Sequence, residues 1–200
     1  MELEDAIVKR RSVKKFDPEF HLNDPQVERL ISLALLSPTA FNIQNWRFLW
    51  LSDPNLRLEF RKIAWDQAQV TDASAFILIA ADLKAWDRDP ERYWRNQPDF
   101  AKTVVPAMGQ YYRGKERIQR DEAMRSAGIA AQTLMLAAKG MGLDSCPMTG
   151  FNYDAAGSLI KLPKDYCLTM AVAVGRALEP ANARGGQLPL SEVFFKNRFP

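Results

Sequence analysis

Histidine and cysteine are scarce in this 200-residue chain, which contains one histidine and two cysteines. With His21 alone, a His-rich metal site and most Ser-His or Cys-His nucleophile designs are excluded. Cys146 and Cys167 are too few for a disulfide scaffold, so we expect a reducing, cytoplasmic location. Any demanding chemistry must therefore come largely from a bound cofactor.

Other absences narrow the class of protein further. No apolar run reaches the about 20 residues of a membrane-spanning helix, and the N-terminal residues 1–5 are acidic where a secretory leader would be basic, so we expect neither membrane nor export. The net charge of +3 is too small for a dedicated nucleic-acid binder. Both GxGxxG and the P-loop are missing, which excludes those two phosphate cradles. The length predicts one domain over residues 1–200.

A concentrated basic stretch lies near the N-terminus. Residues 10–16 read Arg-Arg-Ser-Val-Lys-Lys-Phe, with four cations and one hydroxyl within six residues. Guanidinium forks, a hydroxyl donor and an ammonium group are the donors that a phosphate prefers. The alternative is a solvated basic face at the end of a first helix, where cations meet the helix dipole.

Residues 37–48 fit neither helical nor strand periodicity and read Ser-Pro-Thr-Ala-Phe-Asn-Ile-Gln-Asn-Trp-Arg-Phe. The polar groups of such a loop must be satisfied by its own backbone or by a ligand. Asn42 and Gln44 each carry a donor and an acceptor, which suits the edge of a heterocycle. A self-satisfied loop with aromatic anchors is the alternative. A second cluster of amides, Gln67 and Gln69, follows Trp65.

Apolar periodicity predicts a mixture of helices and buried strands. We expect strands at residues 48–51, 73–81 and 168–174, and helices at residues 3–10, from 24, from 54, at 104–119, 123–141 and 154–162. The helix at 123–141 is apolar nearly all round, so we expect it in the core, at a subunit interface, or at both.

Two segments fall outside these elements. Residues 84–100 mix aromatic rings with charges and prolines, and this region, extended to residue 120, is either a flap over a site or a surface excursion. Arg184 precedes a Gly-Gly pair that is flexible enough to lay its cation on an anion. The apolar end of the tail, residues 193–195, requires a partner surface in this chain or another.

These motifs, in this order, resemble the FMN-dependent nitroreductase family. The resemblance runs from Ala6 to Val193 and is carried by residues 10–16, 37–46, 128–142, 148–152 and 188–193. It implies an α+β fold with a mixed central sheet surrounded by helices. It also implies an intertwined homodimer that holds two flavins at its interface, each contacted by both chains.

The resemblance also assigns roles by position. The FMN phosphate and ribityl chain would be held by Arg10, Arg11, Ser12 and Lys14, with Arg184 as a phosphate ligand from the tail. The other subunit would contribute Thr39, Ala40, Asn42 and Gln44. Gln67 and Gln69 would face the pyrimidine edge or substrate, and Thr149 and Gly150 would lie near flavin N5. Some relatives carry an acidic residue at the position of Thr149, a lysine at Gln69, and a Lys-x-Arg in the tail.

The function implied is an FMN-dependent oxidoreductase. NAD(P)H would deliver hydride to flavin N5, and a nitroaromatic, quinone or similar planar acceptor would then replace it, in a ping-pong cycle. No side chain need act as a nucleophile. Two alternatives stay open: other chemistry on the same fold, such as reductive dehalogenation or flavin cleavage, and a non-catalytic flavin-binding protein that uses residues 84–100 as a contact surface.

Overall fold

The structure is a computed structural model that describes residues 1–199. Four strands form one sheet: β1 (Trp46–Trp50), β2 (Ala75–Asp82), β3 (Asp144–Met148) and β4 (Tyr166–Gly175). The helices are α1 (Leu3–Lys9), α2 (Asp24–Ala34), α3 (Pro54–Ile63), α4 (Gln69–Asp72), α5 (Pro98–Tyr112), α6 (Glu116–Gly140), α7 (Tyr153–Leu159) and α8 (Leu190–Val193).

The strand order is β1-β2-β4-β3, and every pair of neighbouring strands is antiparallel. The predicted α+β fold is confirmed. Within residues 1–199, the parallel component of the expected mixed sheet is confined to one bridge between Ser12 and Ser145. This bridge places the basic stretch alongside β3, the strand at one edge of the sheet.

Hydrophobic cores cover both faces of the sheet. All eight residues of β2 are buried, which explains its nearly unbroken apolar sequence. Phe60 of α3, Phe76 of β2 and Phe151 pack on one face, with ring centroids 5.2–5.3 Å apart around Phe60. Helices α2 and α6 cover the other face, where Leu134 of α6 packs in the same core as Ile77 and Val172.

Three boundaries differ from the sequence-based prediction. The sequence favours Asp24 as the N-cap of α2 and Pro25 as its first helical residue, but the helix begins at Asp24 and Asn23 caps it, with the Asn23 side chain accepting from the Gln26 N–H in a capping box. Helix α5 begins at Pro98, and Gly114 at φ +68° separates it from α6. Strand β3 was missed because it contains Pro147, but an edge strand tolerates proline.

The excursion that follows β2 shares a small core with the loop before β1, in which Trp86, Met108 and Tyr112 of the excursion are buried together with Ile43 of the loop. It contains a 3₁₀ turn, Pro90–Trp94, before α5 begins. Whether it closes over a site stays a prediction, as does the single domain over residues 1–200. None of the described helices is both long and apolar enough to cross a membrane.

Candidate functional site

The basic stretch runs as extended chain along β3. The Val13 N–H donates to the Ser145 carbonyl at 3.1 Å, and Val13 and Phe16 are 2% and 1% exposed. Because Val13 points inward, its neighbours Ser12 and Lys14 point outward from the sheet edge. Arg10 is the C-cap residue of α1, and beyond it Val13 and Phe16 anchor the stretch while Ser12 and Lys14 stay exposed.

The tail returns to this stretch and completes a cavity of about 320 Å³. The Arg184 guanidinium donates to the carbonyls of Val8 at 3.0 Å and Arg10 at 3.3 Å. In return, the Arg11 guanidinium donates to the carbonyl of Asn182. The structure thus brings together five predicted phosphate-binding residues, and all five line the cavity: Arg10, Arg11, Ser12, Lys14 and Arg184.

The electrostatics of this cavity favour an anion. Four of its lining residues are cations, and none is an aspartate or glutamate. The Lys14 ammonium lies 3.3 Å from the Cys146 thiol and forms no ion pair within residues 1–199. Donors of this kind bind a phosphate through charge-assisted hydrogen bonds. The residues present therefore fit the phosphate end of a nucleotide-like cofactor.

A second group of predicted residues gathers just beyond the other end of β3. The Gln67 side chain donates to the Gly150 carbonyl at 2.7 Å, and the Gln69 side chain donates to Gln67 Oε1 at 3.2 Å. Thr149 is exposed, and Gly150 is half-buried. Because a strand rises about 3.3 Å per residue, β3 from Asp144 to Met148 separates the two ends of this candidate site by about 13 Å.

Gly150 permits a close approach that another residue would block. A Cβ built on it would lie 2.7 Å from Trp65 Cζ3 and 3.3 Å from Gln67 Nε2. The backbone N–H of Gly150 donates no hydrogen bond within residues 1–199. The missing side chain of Gly150 thus makes room for the Trp65 ring, and the Gly150 N–H remains a free donor.

Trp65 is a site residue to which the sequence analysis assigned no role. Its side chain is 72% exposed although it is a large aromatic, and both Trp65 and Asp66 have positive φ, at +54° and +56°. Arg61 holds this turn through an ion pair of 2.6 Å with Asp66. The sequence offers one signal for this role, because Trp65 stands two residues before Gln67. The proximity of Trp65 to Gly150 depends on the tertiary fold and is not visible in the sequence.

Arg57 fixes the position of the segment that carries Gln69. Its guanidinium donates to the Val70 carbonyl at 2.7 Å and to the Ala73 carbonyl. Burial lowers the pKa of Arg57 to about 10, and the charge of Asp72 opposes that shift. The side chain stays charged at neutral pH and ties α3 to α4.

The predicted residues between 39 and 44 lie elsewhere. None of Thr39, Ala40, Asn42 and Gln44 lines the basic cavity. Their polar groups are largely satisfied within the loop and by the excursion: the Gln44 N–H donates to Thr39 Oγ1 at 3.0 Å, and the Asn42 amide donates to the Tyr93 carbonyl at 2.8 Å. Phe41, Asn42 and Gln44 all have positive φ. Non-glycine residues with positive φ are uncommon, so three of them so close together indicate a loop with one defined backbone conformation.

The match to known proteins covers most of the chain. The model of the Nitroreductase family matches residues 7–176. The chain belongs to this family. It is 49% identical over 199 residues to Protein DrgA of Synechocystis sp., covering 96% of this chain and 95% of that protein. It is 30% identical over 195 residues to the Bacillus subtilis protein named "Putative NAD(P)H nitroreductase YodC", covering 94% and 96% of the two chains.

Solved structures share this nitroreductase fold. One is a putative nitroreductase from Exiguobacterium sibiricum in complex with FMN. It superposes with a TM-score of 0.89 at 24% identity, and the match covers 98% of each chain. At this identity the likeness concerns the fold. Over the described residues, no group of histidine, cysteine, aspartate and glutamate side chains could hold a metal ion.

Proposed function

We propose that this nitroreductase-family protein is an FMN-dependent oxidoreductase. It takes hydride from NAD(P)H and reduces a planar, electron-poor acceptor such as a nitroaromatic or a quinone. The observation that carries the proposal is the cavity in which Arg184 of the tail joins Arg10, Arg11 and Lys14 without a carboxylate. The names of the YodC relative and of the FMN complex from Exiguobacterium support the same activity.

The basic cavity would hold the FMN phosphate. Arg10, Arg11, Lys14 and Arg184 would neutralise its charge, and the exposed hydroxyl of Ser12 would donate to it or to the ribityl chain. The Arg11 guanidinium donates to one backbone carbonyl and the Arg184 guanidinium donates to two. Their remaining N–H donors are therefore held in fixed directions, which lowers the entropy lost on binding.

The group beyond the other end of β3 would hold the isoalloxazine ring. FMN supplies the hydride-transfer chemistry when it is bound. The Gly150 N–H, which donates no hydrogen bond within residues 1–199, would donate to the ring near N5. Gln67 and Gln69 would face the pyrimidine edge or substrate. The Gln69 amide donates to Gln67 Oε1, and Gln67 Nε2 donates to the Ala64 and Gly150 carbonyls, so the remaining N–H donor of the pair belongs to Gln69. Thr149 would lie beside N5 with its exposed side chain.

We further propose that the functional unit is an intertwined homodimer. Thr39, Ala40, Asn42 and Gln44 do not reach the basic cavity of their own chain, so they would contact the flavin of the partner. The tail exposes Leu188, Leu190, Val193 and Phe194 by 56–70%, and α6 exposes Ile129 by 44%. Apolar surfaces of this extent are typical of an interface.

One site would serve both substrates in turn, because the sequence contains neither of the familiar dinucleotide or nucleotide cradles. Trp65, Gln67 and the excursion would line it, so planar acceptors would bind against rings and amides. Both cysteines are free thiols, as a reducing cytoplasm permits. We propose that location.

The direct test measures NAD(P)H oxidation by the purified, FMN-loaded protein with a quinone and with a nitroaromatic. Parallel double-reciprocal lines are expected, since one site serves both substrates. A protein that binds FMN but oxidises no nicotinamide would refute this function. Product analysis would then distinguish dehalogenation or flavin cleavage from a non-catalytic flavin-binding role.

A further inference from the structure

A buried carboxylate lies at the end of β2. Asp82 is the last residue of this strand, and its side chain is only 1% exposed. One carboxylate oxygen accepts a hydrogen bond from the Lys84 N–H at 2.9 Å, and the other lies 3.5 Å from Arg47 and 3.4 Å from Arg88. A buried carboxylate requires both hydrogen bonds and cationic partners, and Asp82 has both.

The two arginines come from different parts of the fold. Arg47 belongs to β1, whereas Arg88 belongs to the excursion and also pairs with Asp165 at 2.7 Å. Both guanidinium groups lie over the ring of Tyr166, at 5.8–5.9 Å from its centroid. Asp82 is therefore the point at which β1, the excursion and the start of β4 are held together.

Arg47 links this carboxylate to the loop before β1. Its guanidinium donates to the carbonyls of Gln44 and Trp46, both at 2.8 Å. The residue between them, Asn45, accepts from the Asp82 N–H at 2.8 Å through its own carbonyl. Asp82 thus holds the end of this loop twice, directly through its backbone and indirectly through Arg47. A planar guanidinium suits the indirect contact, because its donors point in fixed directions.

We propose that Asp82 is a positioning residue for the ring end of the flavin site. By orienting Arg47, its carboxylate holds residues 39–44 in the conformation that contacts the flavin of the partner. The inference rests on the proposed function, which assigns that contact to this segment. Three non-glycine residues of the segment have positive φ, so its backbone conformation depends on support from its surroundings.

A purely structural role for Asp82 is the alternative. Loss of the carboxylate would then lower the melting temperature, but protein that remains folded would bind flavin with unchanged affinity. A positioning role predicts a change at the ring end of the site and none at the phosphate end. The two ends can be separated because none of Asp82, Arg47 and Arg88 lines the basic cavity.

The test replaces Asp82 with asparagine, which keeps an acceptor for the Lys84 N–H but removes the charge that orients Arg47. Hydrogen exchange of the apoprotein, measured by mass spectrometry, should become faster in peptides that cover residues 39–44 and stay unchanged in residues 10–16. The affinities for FMN and for riboflavin should both fall by about two- to tenfold, the contribution of one hydrogen bond. Because the phosphate end is untouched, the ratio of the two affinities should stay at its wild-type value.

Two further variants complete the experiment. Asp165→Asn removes the other, half-exposed partner of Arg88 and leaves the contact of Asp82 with Arg47 intact, so it should change neither exchange nor affinity. Arg47→Lys keeps a cation beside Asp82 but lacks the forked donors that reach both carbonyls of the loop. It should reproduce the effects of Asp82→Asn, and it decides the matter if Asp82→Asn does not fold.

Wild-type exchange in residues 39–44 of Asp82→Asn would overturn the inference, as would unchanged affinity for both flavins. A ratio of FMN to riboflavin affinity that narrows as it does in Arg184→Ala would also overturn it, since the effect would then lie at the phosphate end. Wild-type protein that binds neither flavin fails the proposed function. In that case hydrogen exchange still decides whether Asp82 holds the segment.

Discussion

Replacing Gly150 with alanine should impair the flavin site while leaving the fold nearly intact. The new Cβ would lie 2.7 Å from Trp65 Cζ3, and a normal carbon contact is about 3.5–4.0 Å, so the indole must move by roughly 1 Å. Trp65 is 72% exposed and can move into solvent. The backbone of Gly150 does not have positive φ, so alanine adds no backbone strain.

The loss should therefore appear in function rather than in stability. Overpacking in a closed core destabilises a protein by about 1–3 kcal/mol, and we expect the lower end of that range here because the indole can yield. Gln67 Nε2 would lie 3.3 Å from the new Cβ, so its hydrogen bond to the Gly150 carbonyl should weaken. The rate of flavin reduction by NAD(P)H should fall at least about tenfold, since misplacement of about 1 Å at a reacting centre can cost 10²-fold.

Stopped-flow absorbance of the loaded protein measures that rate, and the melting temperature of the apoprotein reports on the fold. The double variant Trp65→Ala/Gly150→Ala supplies the control, because removing the indole relieves the 2.7 Å contact and leaves only the milder one of 3.3 Å with Gln67 Nε2. The rate of flavin reduction in this double variant should be close to that of Trp65→Ala alone. A double-mutant cycle would then show that the effects of the changes at residues 65 and 150 are coupled. A Gly150→Ala protein with the wild-type rate would refute the role given to the close approach at Gly150.

Three further predictions concern the basic cavity, the Arg57 contacts and the link between FMN binding and dimerisation. Arg11→Ala should weaken FMN binding by about one to two decades, and Ser12→Ala should weaken it less, as measured by flavin fluorescence. Wild-type FMN affinity in both variants would contradict this prediction. Arg57→Met should lower the free energy of unfolding, measured by urea titration, by about 1–3 kcal/mol, because the Val70 and Ala73 carbonyls lose their donor. As the control, Arg29→Met replaces an exposed arginine and should change that free energy by under about 0.5 kcal/mol. FMN should raise the melting temperature and favour the dimer in sedimentation, since a ligand stabilises the state that binds it; a monomer with undiminished FMN affinity would exclude a shared site.

Local sequence signals account for much of the fold. The apolar run that became β2 and the Asp53-Pro54 start of α3 were identified because burial and capping are set by neighbouring residues. Helix α6 was identified from its apolar character, but its start at Glu116 was not, since its first turns are polar. Strand β3 escaped detection because pairing with β4 outweighs the presence of Pro147.

The candidate site was predictable only in part. The phosphate donors of residues 10–14 are contiguous, so their chemistry was visible, and the resemblance added Arg184 from the tail. What brings Arg184 to them is a pair of carbonyl contacts across more than 170 residues, which no local pattern reveals. The contacts of Asp82 were not predicted, because its two arginine partners come from β1 and from the excursion.

The most direct test of the account compares FMN with riboflavin in titrations of the apoprotein. If the cavity of Arg10, Arg11, Lys14 and Arg184 holds the phosphate, FMN should bind at least about 100-fold more tightly, since several charge-assisted contacts are lost with riboflavin. Arg184→Ala should narrow that gap. Equal affinities for FMN and riboflavin would contradict the central claim that this cavity is the phosphate end of a flavin site.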